Sequence, residues 1–307
     1  MQDRKEKNGR YEIDMCEGPL FGKIMLFTVP LMLSGILQLL FNAADIIVVG
    51  KFAGDNSLAA VGSNTALINL LTNLFIGLSI GANVTAARFY GAKAQKDLTE
   101  TVHTAMLLSM VSGVLLTIVG VIGAKQMLIW MQTPKEVLPL AAVYLRIYFL
   151  GMTSTMVYNF GSAILRAVGD TRRPLYFLTA AGVINVILNL FFVIVCGLGV
   201  AGVAIATAIS QAVSAALVLL CLFRADAAYK LRFENLRISG HKMGMMLKIG
   251  LPAGLQGAVF SFSNVLIQSS VNSFGADAVA GNSAAANLEG FVYVAMNTLH
   301  QTAVSFE

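Results

Sequence analysis

The sequence predicts an all-α, polytopic membrane protein: a six-helix N-lobe followed by the first two helices of a second, pseudo-symmetric lobe. Three observations predict it. Charge is scarce: 12% of the 307 residues are charged and 57% are hydrophobic, with mean hydropathy +0.74, against about 25% charged in a soluble domain. The charges bunch between eight apolar stretches, each near the ~20 residues that a bilayer-spanning helix needs. And the chain begins again part-way along. Backbone polar groups in lipid must be satisfied internally, and the alternation of a transmembrane barrel is absent, so the stretches read as helices.

Residues 1–23 are polar and mixed in charge and read as a cytoplasmic segment. No cleavable signal peptide is expected, because the first apolar stretch is too long for a signal core. Spans are expected at 24–49, 58–82, 102–123, 137–165, 175–196 and 200–223, together the N-lobe (24–223). Residues 224–244 are basic and polar and read as an inter-lobe linker. Spans at 245–271 and 278–302 then open the second lobe (245–307). The restart is visible in the residues. Pro30 and Pro252 lie 222 apart (252 − 30), as do Phe52 and Phe274, and Gly62 and Gly281 follow at 219 (281 − 62). Such repeats mark transporter folds, in which two similar bundles face each other across a substrate site. With a six-helix unit, the chain holds one unit and two helices of the next, so it is expected to be truncated after the eighth span.

Orientation follows from the basic residues. With the N-terminus inside, every Lys and Arg but Lys51, Lys125, Lys135 and Arg146 falls in cytoplasmic segments or, for Lys248, at the cytoplasmic end of a span, 17 of 21 (21 − 4). That asymmetry is the positive-inside rule, so the net charge of +5 points to a lipid bilayer and not to nucleic acid. Cys16, Cys196 and Cys221 show no metal spacing and no disulfide framework.

Between spans four and five, Leu165-Arg166-Ala167-Val168-Gly169-Asp170-Thr171-Arg172-Arg173-Pro174 reads as a tight helix–turn–helix. Gly169 can end one helix in the left-handed conformation. Asp170 or Thr171 can cap the next, whose first turn accommodates Pro174. With this turn, Ala44-Asp45-Ile46-Ile47-Val48-Val49-Gly50, Leu58-Ala59-Ala60-Val61-Gly62 and Phe89-Tyr90-Gly91-Ala92 occur in order. From about residue 20 onward the chain resembles the multidrug and toxic compound extrusion (MATE) transporters. The resemblance implies twelve helices in two six-helix lobes and a monomeric secondary antiporter in the cell membrane. It would export lipophilic organic cations or drugs in exchange for protons or sodium ions, with no cofactor.

Asp45 is the most informative residue. It sits in an otherwise apolar run from Phe41 to Val49, where a charge costs at least about 2.5–3.5 kcal/mol on insertion scales. A carboxyl removed from water can bind and release a proton near neutral pH, or its oxygens can help ligate a hard cation such as sodium. The structural alternative is an aspartate near the outer helix end, about 6 Å from the interface at 1.5 Å per residue, capped or solvated. Asn185 and Asn189, four apart, share one face of span five. They, Thr207, Tyr144 and Asn159 match the polar cluster that surrounds the span-one acid in the family. Interhelical hydrogen bonding alone is the structural reading of these asparagines. One departure stands out: where archaeal and some bacterial members place a second aspartate, this chain has Asn189. An amide hydrogen-bonds but does not titrate, so a carboxylate pair sharing a proton is excluded.

In the second lobe, Gln256, Asn264, Gln268 and Asn272 form a polar stripe on span seven, and Glu289, Tyr293, Asn297 and Gln301 form one on span eight. Such stripes face protein or water and are expected to line the cleft. Glu289 is the only other deep acid. The repeat places Ile267 opposite Asp45, and the glutamate that some family branches carry earlier in span seven is absent. Gly77-x-x-x-Gly81 and Gly250-x-x-x-Gly254 permit close helix contact.

No Walker loop, His-Glu-x-x-His or Gly-x-Ser-x-Gly motif occurs, so an enzyme is not expected and energy must come from an ion gradient or not at all. The alternatives are a lipid-linked oligosaccharide flippase of the same wider superfamily and an inactive truncated remnant. A flippase would want several basic residues facing the cleft, whereas the spans hold a single arginine, Arg146.

Overall fold

The structure is a computed structural model that describes residue 13 and residues 20–131, 133–272 and 276–306. Side chains at 55, 56, 63, 66, 265, 266 and 268–288 fall outside that description, as do Cys16 and Phe274 altogether. Nine α-helices are described, and no strand among these residues: α1 Leu20–Phe52, α2 Asp55–Gly91, α3 Gln95–Trp130, α4 Leu138–Leu150, α5 Met152–Ala167, α6 Arg172–Leu190, α7 Gly199–Arg224, α8 Gly240–Asn272 and α9 Ala276–Phe306. Six of the described helices are long and apolar enough to cross a membrane, seven if the bent pair α4–α5 counts as one span. α9 occupies the eighth expected position. Apolar side chains such as Ile122 and Val195 stand more than two-thirds exposed on the helix surfaces, which suits lipid and not water.

Residues 137–165, expected as one span, form two helices bent by 46°. The break falls at Gly151, whose Cβ position would lie 3.0 Å from the Ala208 Cα of α7. The Phe149 carbonyl at the break accepts a hydrogen bond from Thr117 Oγ1 of α3 at 2.8 Å, so the bend leaves that acceptor satisfied. The turn at 168–171 forms as the sequence requires: Gly169 has φ 87°, and Asp170 Oδ1 accepts from the Arg172 and Arg173 amides at 3.2 and 3.0 Å. Of the two expected caps, Asp170 is the one used. Its other oxygen lies 3.1 Å from Arg173 Nε.

Two buried clusters run through the N-lobe. One lies toward the loop after α1 and gathers Val49, Leu116, Tyr144, Phe149 and Val203. The other lies toward the basic loops and gathers Leu98, Phe160, Leu165, Leu222 and, from beyond α7, Tyr229, Leu231 and Met246. The linker is therefore a strap bound to the lobe. Thr99 Oγ1 donates to the Ala228 carbonyl at 2.8 Å, His103 Nε2 lies 3.0 Å from the Arg232 amide nitrogen, and Thr104 Oγ1 accepts from the Ser239 amide at 3.1 Å.

Candidate functional site

The site begins with a close approach of α1 and α6. A Cβ on Gly182 would lie 1.9 Å from the Phe41 ring, so only glycine lets the two helices meet as they do. Asp45 stands one turn after Phe41, and Asn185 and Asn189 stand three and seven residues after Gly182. Helical periodicity brings all of them to one seam. Directly after Leu190, α6 widens into a π turn, Phe191–Val195, of the kind frequent at functional sites.

Asn189 is fully buried and Asn185 nearly so, while Asp45 is half-buried. The Asn189 amide donates to Asp45 Oδ1 and to Asn185 Oδ1 at 3.2 Å. Asn185 in turn donates to Thr207 Oγ1 on α7 at 3.4 Å, and Thr207 donates to the Val203 carbonyl at 3.0 Å. Asn189 Oδ1 is buried with no hydrogen-bond partner among the described residues. A buried acceptor left this way costs about 1–3 kcal/mol. The seam that holds it also contains a carboxylate, a second amide and a hydroxyl, joined through the two asparagine Nδ2 groups.

Tyr144 is buried, and Tyr148, which the sequence reading did not single out, lies one turn further along the same helix. The two rings stack at 6.0 Å, and their spacing of four residues was the available signal. Asn159 is not drawn in: its amide donates to the Thr155 carbonyl of its own helix at 2.9 Å.

The second-lobe residues are a separate group. Gln256 and Asn264 on α8 and Glu289 and Asn297 on α9 are exposed, and the Gln268 side chain lies outside the described residues. Between α8 and α9, Phe260 and Tyr293 stack at 5.8 Å. Sequence reasoning missed Asn73, which donates to Ser261 Oγ across the lobes at 2.9 Å. It also missed Asn83, whose Oδ1 accepts from Ser305 of α9 at 3.2 Å. Both are asparagines in a largely apolar helix that holds several others, a pattern that marks an interhelical contact without naming the partner. Among the described residues no three His, Cys, Asp or Glu side chains converge on a metal position.

A helical membrane bundle with a polar knot inside one lobe and the start of a repeat defines a transporter-type fold. Comparison with known proteins makes the class specific. The MatE family model matches residues 30–191, and the chain belongs to that family. It is 29% identical to the probable multidrug resistance protein YpnP of Bacillus subtilis, over 91% of this chain and 62% of that protein. It is 32% identical to the probable multidrug resistance protein YoeA of the same organism, over 83% of this chain and 57% of that one. Among solved structures it resembles an outward-facing multidrug resistance MATE family transporter of the MOP superfamily, with a TM-score of 0.88 at 26% identity over 95% of this chain and 65% of that one. The chain thus spans about three-fifths of the length of these curated relatives.

Proposed function

We propose that the protein is a secondary active antiporter that exports lipophilic organic cations or drugs, as a monomer in the cell membrane, in exchange for protons or sodium ions. The observation that carries the coupling is the Asp45 carboxylate tied to the buried Asn189 amide inside a membrane lobe, an amide whose own oxygen has no hydrogen-bond partner among the described residues. A carboxyl so placed changes its interactions whenever a proton or a cation arrives, which is what coupling requires. Thr207, Asn185 and Asn189 hold it in place, and Tyr144 closes one side. The exposed Gln256, Asn264, Glu289 and Asn297 supply polar and acidic contacts for a cationic substrate in the cleft, and Gln268 and Asn159 extend that lining.

The test is reconstitution of the full-length protein in liposomes with an imposed proton or sodium gradient. Uptake of a fluorescent lipophilic cation against the ion flow is the expected result. Transport that requires ATP and ignores both gradients would overturn the reading. The N-terminus and the basic loops are assigned to the cytoplasm. With single cysteines at Asp55 or Asp226, an impermeant reagent applied to intact cells should label only Asp55→Cys. The reverse pattern would invert the orientation.

A further inference from the structure

The two lobes meet chiefly along two helix pairs, and in one of them the backbones themselves touch. A Cβ on Gly77 of α2 would lie 2.2 Å from the Gly254 nitrogen of α8, and one on Gly81 would lie 2.2 Å from the Met246 carbonyl oxygen. The fit is reciprocal: a Cβ on Gly250 would lie 2.6 Å from Leu78 Cα, and one on Gly254 would lie 2.3 Å from the Leu74 oxygen. At its basic end this seam finishes in a charge. The Lys242 side chain is 5% exposed, with Nζ 2.5 Å from Asp97 Oδ1 at the start of α3 and 3.8 Å from the centre of the Phe89 ring. The second helix pair closes at the same end. Thr28 and Thr302 share a hydrogen bond at 3.1 Å, and the Phe27 and Phe306 rings meet edge-on at 5.5 Å.

A permanent helix contact would be held at least as well by an apolar side chain as by a buried lysine, because an ion pair loses much of its attraction to desolvation. Lysine and aspartate offer something else. Closed, the ammonium is satisfied by a carboxylate and an aromatic face; parted, both charges return to water at the basic end. The glycine seam is a backbone contact with Leu78 and Met246 buried beside it. The ion pair at its basic edge is the part of this contact suited to being broken.

We propose that Lys242, clasped by Asp97 and Phe89, is the latch of a cytoplasmic gate whose closing surfaces are Gly77 and Gly81 against Gly250 and Gly254. The structure shows the gate shut, and opening toward the basic end requires Lys242 to leave Asp97. The inference rests on the transport reading above, but its test does not use transport.

The full-length protein, with Cys16, Cys196 and Cys221 replaced by serine, would carry spin labels at Tyr176→Cys on α6 and Ala303→Cys on α9, both exposed positions. Pulsed electron resonance in liposomes then reads the distance between the lobes at the basic end. Lys242→Met and Asp97→Asn should each raise the long-distance population relative to the short one by at least about fivefold. The charge swap Lys242→Asp with Asp97→Lys should return it toward the parent. Asp97 is 46% exposed, so Asp97→Asn leaves the fold intact and serves as the mild variant. Unchanged distances in both single variants would overturn the latch, and so would a swap that stays as open as they are. A shift in distance in a protein that fails to transport would leave the latch standing and remove only the antiport reading.

Discussion

Helices α1 and α8 open their lobes with the same length, 33 residues, and each holds an internal proline, Pro30 and Pro252. Fifteen residues beyond those prolines (45 − 30, 267 − 252) the likeness ends: α1 carries Asp45, and α8 carries the exposed Ile267. Both reach across the lobes, α1 to α9 through Phe27 and Thr28 and α8 to α2 through Gly250 and Gly254. In addition, α1 presses Phe41 against Gly182 within its own lobe. The two helices thus share length and proline position but not the acid.

The largest effect that separates the two helices is expected from Asp45→Asn. The amide keeps the shape and most hydrogen bonding while removing the ionisable group. Gradient-driven exchange by the full-length protein should fall to the level of protein-free liposomes, while binding of a fluorescent cation survives. Exchange equal to the parent under the same gradient would move coupling elsewhere, with Glu289 the next candidate. Next in size is Gly182→Val, which forces the Phe41 ring away from α6. Overpacking of this kind costs about 1–3 kcal/mol, read as a lower melting temperature in detergent together with reduced exchange. Gly62→Ala is the control: nothing lies within 4 Å of its Cβ position, so helix propensity should make it neutral or stabilising by up to about 1 kcal/mol.

The apolar spans, the Gly169 turn and the shared face of Asn185 and Asn189 were legible because each rests on local pattern, whereas the grouping of those asparagines and Thr207 with Asp45 came from the family resemblance. Apolar length marks a span, φ-permissive glycine marks the turn, and four-residue spacing puts two asparagines on one face. What was not legible depends on partners distant in sequence. The break at Gly151 needs Thr117, 34 residues earlier (151 − 117), and apolar continuity across 137–165 hid it. The strap from Ala225 to Ser239 read as a polar linker because its anchoring hydrogen bonds go mainly to backbone atoms, which sequence does not display. Asn159 matched a family position, yet a local acceptor, the Thr155 carbonyl, holds it on its own helix.

A smaller effect is expected from carrying the acid to the other repeat. Ile267→Asp places a carboxyl at the register of Asp45 but beside none of its amides. It should cost about 2.5–3.5 kcal/mol if it lies deep in the membrane, seen as reduced insertion or thermal stability. Combined with Asp45→Asn, it should restore no exchange. Recovery of exchange in that double variant would show the lobes to be interchangeable and end the comparison as drawn.

The smallest expected change sharpens the comparison within the N-lobe itself. Asn189 is the residue through which α6 grips Asp45, and its amide donates both to that carboxylate and to Asn185. Asn189→Asp preserves size but replaces a donor by an acceptor, so two carboxyl groups face each other across the α1–α6 seam. Neighbouring carboxylates share a proton and titrate as a pair. The pH profile of exchange should therefore shift upward by about one unit, with the maximal rate kept within a few-fold of the parent. The same substitution should weaken any dependence on sodium, because the shared proton competes for the oxygens a cation would use. An unshifted profile together with unchanged sodium dependence would mean that Asn189 does not contact the coupling ion, and Asp45 would then act with Thr207 and Tyr144 alone.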